Sequence, residues 1–196
     1  MVIGVLALQG DFREHANMVR FLGAEVCLVR LPDEVDLVDG LIIPGGESTT
    51  MGKLMVKYGV DRAIVDRFNA GRLAIYGTCA GMIVLALDIE GSQAQPHLGL
   101  LDVTVQRNAF GRQKESSEED LEVQGLGTPL HALFIRAPVI VRTGPSVEVL
   151  ARVAQGPVYV QQGRLLASSF HPELGSDTRV HEHFLRLAEQ SSNQEV

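Results

Sequence analysis

Cysteine is scarce in this chain. Its 196 residues hold two, Cys27 and Cys79, and two cannot build a disulfide framework. A free thiol suits a reducing compartment, so the cytoplasm is the expected location. Long apolar runs are also missing. The opening run, Val2 to Leu8, is too short for a membrane span or a signal-peptide core and has no basic flank, so it reads as a first buried strand. Basic clusters are absent as well: Lys and Arg number 17 against 24 Asp and Glu, for a net charge of -7. Such a surface repels phosphate backbones and anionic lipid, so neither nucleic acid nor membrane is expected as a partner. No internal repeat or linker divides the sequence, and no His/Cys spacing matches a metal site.

What is present fits one globular domain over residues 1–196, frayed from about 190. The chain is 45% hydrophobic and 21% charged, enough to build a substantial core. Strand Val2–Leu8 is followed by Phe12, Ala16, Val19 and Leu22 at helical spacing, with Asp11 placed to cap that helix and Gly23 to end it. Strand 25–29 follows, with Cys27 as a small buried hydrophobe, and then strand 41–43. A helix over 61–70 leads to another strand. This alternation predicts an α/β fold of three layers, a mostly parallel central sheet with helices on both faces. From Leu101 the texture changes to short strands at 102–107, 121–124, 133–135, 139–142, 147–150, 158–161 and 165–170, part of which should be antiparallel. Residues 113–120 are polar and charged and read as an exposed loop, and a helix over 179–189 closes the chain.

The run from Leu73 to Leu87 organises the rest. An apolar strand meets Gly77, Cys79 and Gly81 and then an apolar helix, the pattern of a nucleophile elbow. At such a turn the central side chain projects above the sheet edge, and its neighbours two residues away must be small because strand and helix pass close together. The first turn of a helix also presents unpaired N–H groups that favour an anion. Cys79 is therefore the candidate nucleophile. A second stretch, Pro44-Gly-Gly-Glu-Ser48, follows another strand at the edge where such sheets bind ligands; Ser48 is placed to cap the next helix.

The last strand runs into His171-Pro172-Glu173. In extended geometry His171 and Glu173 project the same way, so a carboxylate can fix one imidazole nitrogen while the other serves a nucleophile. The order Cys, His, acid differs from the Ser, acid, His order of α/β-hydrolases. The remaining histidines carry less: His181 and His183 do not share a helix face, and His15, His97 and His131 stand isolated in the sequence.

Gly-Thr-Cys79-Ala-Gly, Pro44-Gly-Gly-Glu-Ser and Phe170-His-Pro-Glu together resemble the class I, triad-type glutamine amidotransferases. Five further stretches are similar to one branch, the glutaminase subunits of pyridoxal 5′-phosphate synthase. They are Ala7-Leu-Gln-Gly-Asp-Phe-Arg-Glu-His15, Pro44-Gly-Gly-Glu-Ser-Thr-Thr-Met51, Pro96-His-Leu-Gly-Leu100, Arg107-Asn-Ala-Phe-Gly-Arg-Gln113 and Phe134-Ile-Arg-Ala-Pro138. The likeness runs from residue 1 to about 189, leaving out the Lys114–Asp120 loop and the tail.

The resemblance implies hydrolysis of L-glutamine to glutamate and ammonia, with the ammonia passed to a barrel-shaped synthase subunit and with no cofactor or metal. It makes Cys79 the nucleophile, His171 the proton carrier and Glu173 its orienting acid. It further implies Gly46 and Ala80 N–H groups at the oxyanion, and Gly46, Glu47, Ser48, Arg107, Ile135 and Arg136 around glutamine. Activity is expected to rise when the synthase subunit docks, through rotation of the Gly45–Gly46 peptide. Two other readings remain: a glutaminase serving a different synthase, and a non-catalytic redox sensor built on an elbow cysteine. A sensor would not need His171-Pro-Glu173 or the double-glycine loop.

Overall fold

The computed structural model describes residues 1–91, 94–107 and 116–192. Its first half alternates as the hydropathy pattern predicts, except that a short α2 stands where a plain connection is expected: β1 (Val2–Leu6), α1 (Phe12–Phe21), β2 (Glu25–Val29), α2 (Pro32–Val35), β3 (Gly40–Ile43), α3 (Ser48–Tyr58), α4 (Val60–Asn69), β4 (Ala74–Thr78) and α5 (Ala80–Leu85). The second half is rich in strands: β5 (Ala86–Glu90), β6 (Leu101–Gln106), β7 (Ser116–Leu121), β8 (Leu130–Ile135), β9 (Val139–Thr143), β10 (Glu148–Val153), β11 (Gly156–Gln162) and β12 (Leu165–Ser168). A 3-10 turn, Pro172–Leu174, and α6 (Arg179–Ser192) complete it.

Seven strands form the main sheet in the order β10-β11-β12-β4-β3-β1-β2. From β12 to β2 all neighbours are parallel, and β10 and β11 add an antiparallel edge. Side chains of a strand alternate between faces, and the core divides accordingly. Leu41, Ile43, Ile75, Leu165 and Ala167 pack with Met51, Met55 and Ile64 of α3 and α4 and with Ala80 and Met82 to Leu85 of α5. Ile3, Val5, Ile42, Tyr76 and Leu166 face the other way, onto Ala16 and Val19 of α1 and Val180, Phe184 and Ala188 of α6. Those are the three layers. Because β1, β3, β4 and β12 run in one direction, their carboxyl ends share one sheet edge, which brings Gln9, Gly45, Cys79 and His171 together.

Several local readings are corrected. Residues 116–120 belong to strand β7, paired antiparallel with β8. Their side chains are mostly exposed, as a charge run implies, but backbone pairing does not need buried side chains. Residues 113–115 lie outside the described residues. Of the strand expected at 121–124, Leu121 alone is in a strand, as the end of β7. Helix α5 stops at Leu85, and Ala86 opens β5, which pairs with β6, because the apolar run continues into a second, smaller sheet. Cys27 is half-buried rather than buried. The closing helix continues to Ser192, past the expected start of fraying, and residues 193–196 lie outside the described residues. Among the described residues, no helix is long and apolar enough to cross a membrane.

Candidate active site

Cys79 stands between β4 and α5 with φ 48° and ψ -101°, a backbone conformation rare for a side-chain-bearing residue. Positions of this kind cost about 1–3 kcal/mol and persist only where the surroundings enforce them. Here they do. The Cys79 N–H donates to Ser168 O at 2.8 Å, and the Cys79 carbonyl accepts from Ile83 N–H at 3.2 Å. A Cβ on Gly77 would lie 2.6 Å from the Gly81 carbonyl carbon, and one on Gly81 would overlap Ile43 O. The two glycines are thus required by close packing of β4, α5 and β3. The elbow aims Cys79 Sγ toward Ile135 O, 3.8 Å away, and leaves the residue 7% exposed.

His171 follows β12, the strand beside β4. Its backbone N–H donates to Leu133 O at 2.9 Å, tying the segment to β8. His171 Nδ1–H donates to Glu173 Oε1 at 2.6 Å. The pairing is achieved by a 3-10 turn at Pro172–Leu174 rather than by extended backbone, which folds Glu173 back under the ring. Burial opposes a charge on His171, but hydrogen bonds to Cys79 and Glu173 outweigh it and push the imidazole up to about 10. His171 therefore carries a proton at neutral pH. Burial raises the Glu173 carboxyl, with the His171 hydrogen bond opposing.

Asp11 occupies the N-cap position of α1, yet its side chain makes no cap hydrogen bond. Instead, its Oδ2 lies 3.7 Å from His171 Nδ1. Asp11, His171 and Glu173 thereby place three possible ligand atoms within 4.8 Å of one another, a grouping that sequence spacing did not reveal. A protonated Nδ1 already donated to Glu173 has no lone pair for a cation, so the cluster reads as two acids around an imidazolium.

The double-glycine loop closes over the same edge. Gly45 packs against the His171 ring with no room for a Cβ. Its carbonyl accepts from Asp11 N–H at 3.1 Å, and Glu47 N–H donates to Gln9 Oε1 at 2.9 Å. Gly46 has φ +148°, and a Cβ there would strike the Gln9 amide. Helix α3 is capped by Glu47 rather than by Ser48: the carboxylate accepts from Thr49 N–H and Thr50 N–H at 3.0 and 2.7 Å. Hydrogen bonds led by that from the Thr50 hydroxyl hold the Glu47 carboxyl down to about 2. Arg107 reaches this loop, with its guanidinium 3.5 Å from Glu47 Oε1 and donating to Gln95 Oε1 at 3.1 Å. Gln95 Nε2–H in turn donates to Ser48 Oγ at 3.4 Å. Ala80 follows the nucleophile as the first residue of α5. Ile135 O faces Cys79 Sγ, and Arg136, exposed and with φ 44°, comes next.

A strained elbow cysteine, an imidazolium buffered by carboxylates and a loop of tightly packed glycines meet at one sheet edge. The family model for SNO glutamine amidotransferases matches residues 5–190. The chain belongs to that family. A pyridoxal 5′-phosphate synthase subunit PdxT from Thermus thermophilus is 58% identical over 187 residues, spanning 95% of this chain and 97% of the relative. The Deinococcus radiodurans protein of the same name is 54% identical over 192 residues, spanning 96% and 97%. A crystal structure described as a glutamine amidotransferase is 56% identical, with a TM-score of 0.93, over 96% of this chain and 100% of that one. The PurLQS structure from Thermotoga maritima, at 17% identity and TM-score 0.66 over 97% of this chain and 95% of that one, shares the fold.

For an SNO-family amidotransferase, three groups at this edge went unmarked as site residues in the sequence. Gln95 bridges Arg107 and Ser48, and Gln9 and Asp11 face Gly46 and His171. Nothing in local spacing distinguishes them, although Gln9 and Asp11 fall inside a stretch that carries the family resemblance. His15 and His131 are not isolated either. His131 sits between Asp120 and Glu118 on the β7–β8 hairpin, and His15 lies beneath the site.

Proposed function

We propose that the chain is the glutaminase subunit of pyridoxal 5′-phosphate synthase, acting in the cytoplasm as a single domain through Cys79, His171 and Glu173. The observation that carries the reading is the buried His171 set beside the elbow Cys79, with its Nδ1–H donated to the buried Glu173 carboxylate at 2.6 Å.

In this mechanism Cys79, as the thiolate, attacks the side-chain carboxamide carbon of L-glutamine, and the C=O electron pair moves onto oxygen. The N–H groups of Gly46 and Ala80 would meet that oxyanion. The imidazolium of His171 gives its proton to the amide nitrogen, the C–N bond breaks, and ammonia leaves a γ-glutamyl thioester on Cys79. His171, now neutral, takes a proton from water as the hydroxide adds to the thioester carbonyl; the C–S bond breaks, and glutamate is released. Glu173 holds the imidazole in one tautomer throughout. Gly46, Glu47, Ser48, Arg107, Ile135 and Arg136 would contact the substrate, with a guanidinium pairing its α-carboxylate. Ammonia would pass to the barrel-shaped synthase subunit of a heteromeric complex.

The test is glutamate release by the complex with that subunit. Cys79→Ala is expected to abolish it and to form no γ-glutamyl adduct, whereas Cys27→Ala, which alters a half-buried thiol on β2, should retain most of it. Substantial turnover in Cys79→Ala would remove the proposed nucleophile.

A further inference from the structure

Beneath Glu173 lie two buried histidines that the mechanism does not use. His15 of α1 and His181 of α6 are both fully excluded from solvent. His15 Nδ1 lies 2.9 Å from His181 Nε2, and His15 Nε2 lies 3.1 Å from Thr78 Oγ1 and 3.4 Å from Glu173 Oε2. Glu173 Oε2 and His181 Nδ1 are buried and have no hydrogen-bond partner among the described residues.

The proton positions in this chain follow from those facts. Burial, the neighbouring His181 and His171 hold His15 well below its ordinary range, and burial alone brings His181 down to about 4, so both rings are neutral. A neutral pair at 2.9 Å shares one proton, in one of two directions. If His15 donated through Nδ1–H, its bare Nε2 would face the Glu173 carboxylate, and His181 would bury an unpartnered N–H. If His181 donates through Nε2–H, His15 keeps its proton on Nε2 and donates it to Thr78 Oγ1, with Glu173 Oε2 3.4 Å from the same nitrogen, and the unpartnered atom is a lone pair on His181 Nδ1. Either way His181 Nδ1 is left unsatisfied at a similar cost of about 1–3 kcal/mol, and the second arrangement wins because it does not set the bare Nε2 lone pair of His15 3.4 Å from the Glu173 carboxylate.

We propose that His15, locked by His181 with its proton on Nε2, is a positioning residue that stabilises the charged form of Glu173 and ties it to the elbow through Thr78. This rests on the triad reading given above. The need is greatest midway through the reaction. Once His171 has given its proton to the leaving ammonia, the buried Glu173 loses its cationic partner, and the His15 Nε2–H dipole, 3.4 Å from its free oxygen, remains beside it. A neutral donor suits the place, because a second cation would repel the imidazolium of His171. Thr78 adjoins Cys79, so one ring holds acid and nucleophile in the same frame.

The groups facing Glu173 are His15 and Asp11 from the α1 segment, Tyr76 from β4, and His171, with Cys79 beyond His171 and His181 behind His15 on α6. Removing the His15 donor leaves burial and Asp11 pushing the carboxyl upward with less to oppose them. The acid limb of the rate profile should then move to higher pH.

The experiment measures glutamate release by the complex with the synthase subunit, across pH, for His15→Phe and His15→Gln. His15→Phe should lower kcat by about tenfold to a hundredfold, the usual effect of losing a group that orients a reacting one, with KM for glutamine unchanged and the acid limb displaced upward. His15→Gln, which can still offer an N–H near the Nε2 position, should restore the limb and recover most of the rate. In the unmodified protein, long-range proton–nitrogen NMR correlations should find the His15 proton on Nε2. A folded His15→Phe with wild-type kcat and an unmoved limb would overturn the proposal, as would a proton on Nδ1 or a doubly protonated ring. Cys79→Ala and His171→Asn run alongside: their inactivity keeps the triad while His15 is judged, and their activity would bring down the triad instead.

Discussion

The charge of His171 is set by effects of opposite sign, and their balance has a consequence for stability as well as for rate. Burial favours the neutral ring, hydrogen bonds to Cys79 and Glu173 favour the cation, and the cation wins, with the group raised from 6.5 to about 10. A group raised on folding contributes stability that is fully present below its unfolded value and is lost as pH rises through the folded one. Stability from this source is thus complete below about pH 6.5 and disappears toward pH 10. Thermal melts across that window should show a fall in Tm for the unmodified chain and a flatter profile for His171→Asn, which lacks the titrating group. Parallel profiles would mean that folding does not raise the ring. The same residues show where sequence reading succeeds. Cys79, His171 and Glu173 were legible because each sits in a short local pattern of its own. His15 was not, since its partner His181 is 166 residues away, and spacing reports only on neighbours within an element.

Among the elements, the β4–α5 elbow and the β3–α3 loop depend on glycine for different reasons, and substitution should separate them. A methyl on Gly81 would overlap the Ile43 carbonyl in β3, which is backbone in the middle of the sheet and cannot yield. Gly81→Ala is expected to cost about 1–3 kcal/mol or more in stability, as overpacking does, and to lower Tm clearly. A methyl on Gly46 would meet the side chain of Gln9, which can swing away, but φ +148° is strained for any L side chain. Gly46→Ala should therefore lower Tm through the roughly 1–3 kcal/mol that such backbone strain costs, while its distinguishing effect is a loss of turnover of about a hundredfold to a thousandfold, the usual cost of a misaimed oxyanion donor. If Gly81→Ala kept its Tm, the close-packing account of the elbow would be wrong. Most of the alternation up to β4 is readable because its strands are apolar and its longer helices amphipathic, whereas the four residues of α2 are too few to show a period and read as a short connection. Strand β7 is not readable, because its side chains are solvated and only its backbone pairs with β8. Likewise the end of α5 is hidden, since an apolar run does not announce where a buried helix gives way to a strand.

Over the whole molecule, the site edge joins loops from four parallel strands, and the outermost of them, from β1, holds the loop from β3. Asp11 N–H binds Gly45 O at 3.1 Å, and Gln9 Oε1 accepts from Glu47 N–H at 2.9 Å. The peptide that carries the Gly46 N–H is thus fixed at both flanks by the start of α1. A protein docking against Gln9–Asp11 or α1 would act directly on the orientation of a proposed oxyanion donor, without touching Cys79 or His171. There is a chemical reason for such control. Ammonia released without an acceptor becomes ammonium in water, so hydrolysis uncoupled from synthesis wastes glutamine. Because a single donor is worth about a hundredfold to a thousandfold, its misalignment alone would make the isolated chain look nearly inactive with all three triad residues intact. Steady-state glutamate release at saturating glutamine should therefore rise by about that factor when the synthase subunit is added. Gln9→Ala, which frees Glu47 N–H, should narrow the ratio between the two states. Equal turnover with and without the synthase subunit would sink this gating while leaving the triad chemistry intact, and an unchanged ratio in Gln9→Ala would place the control elsewhere than at the β1–α1 connection.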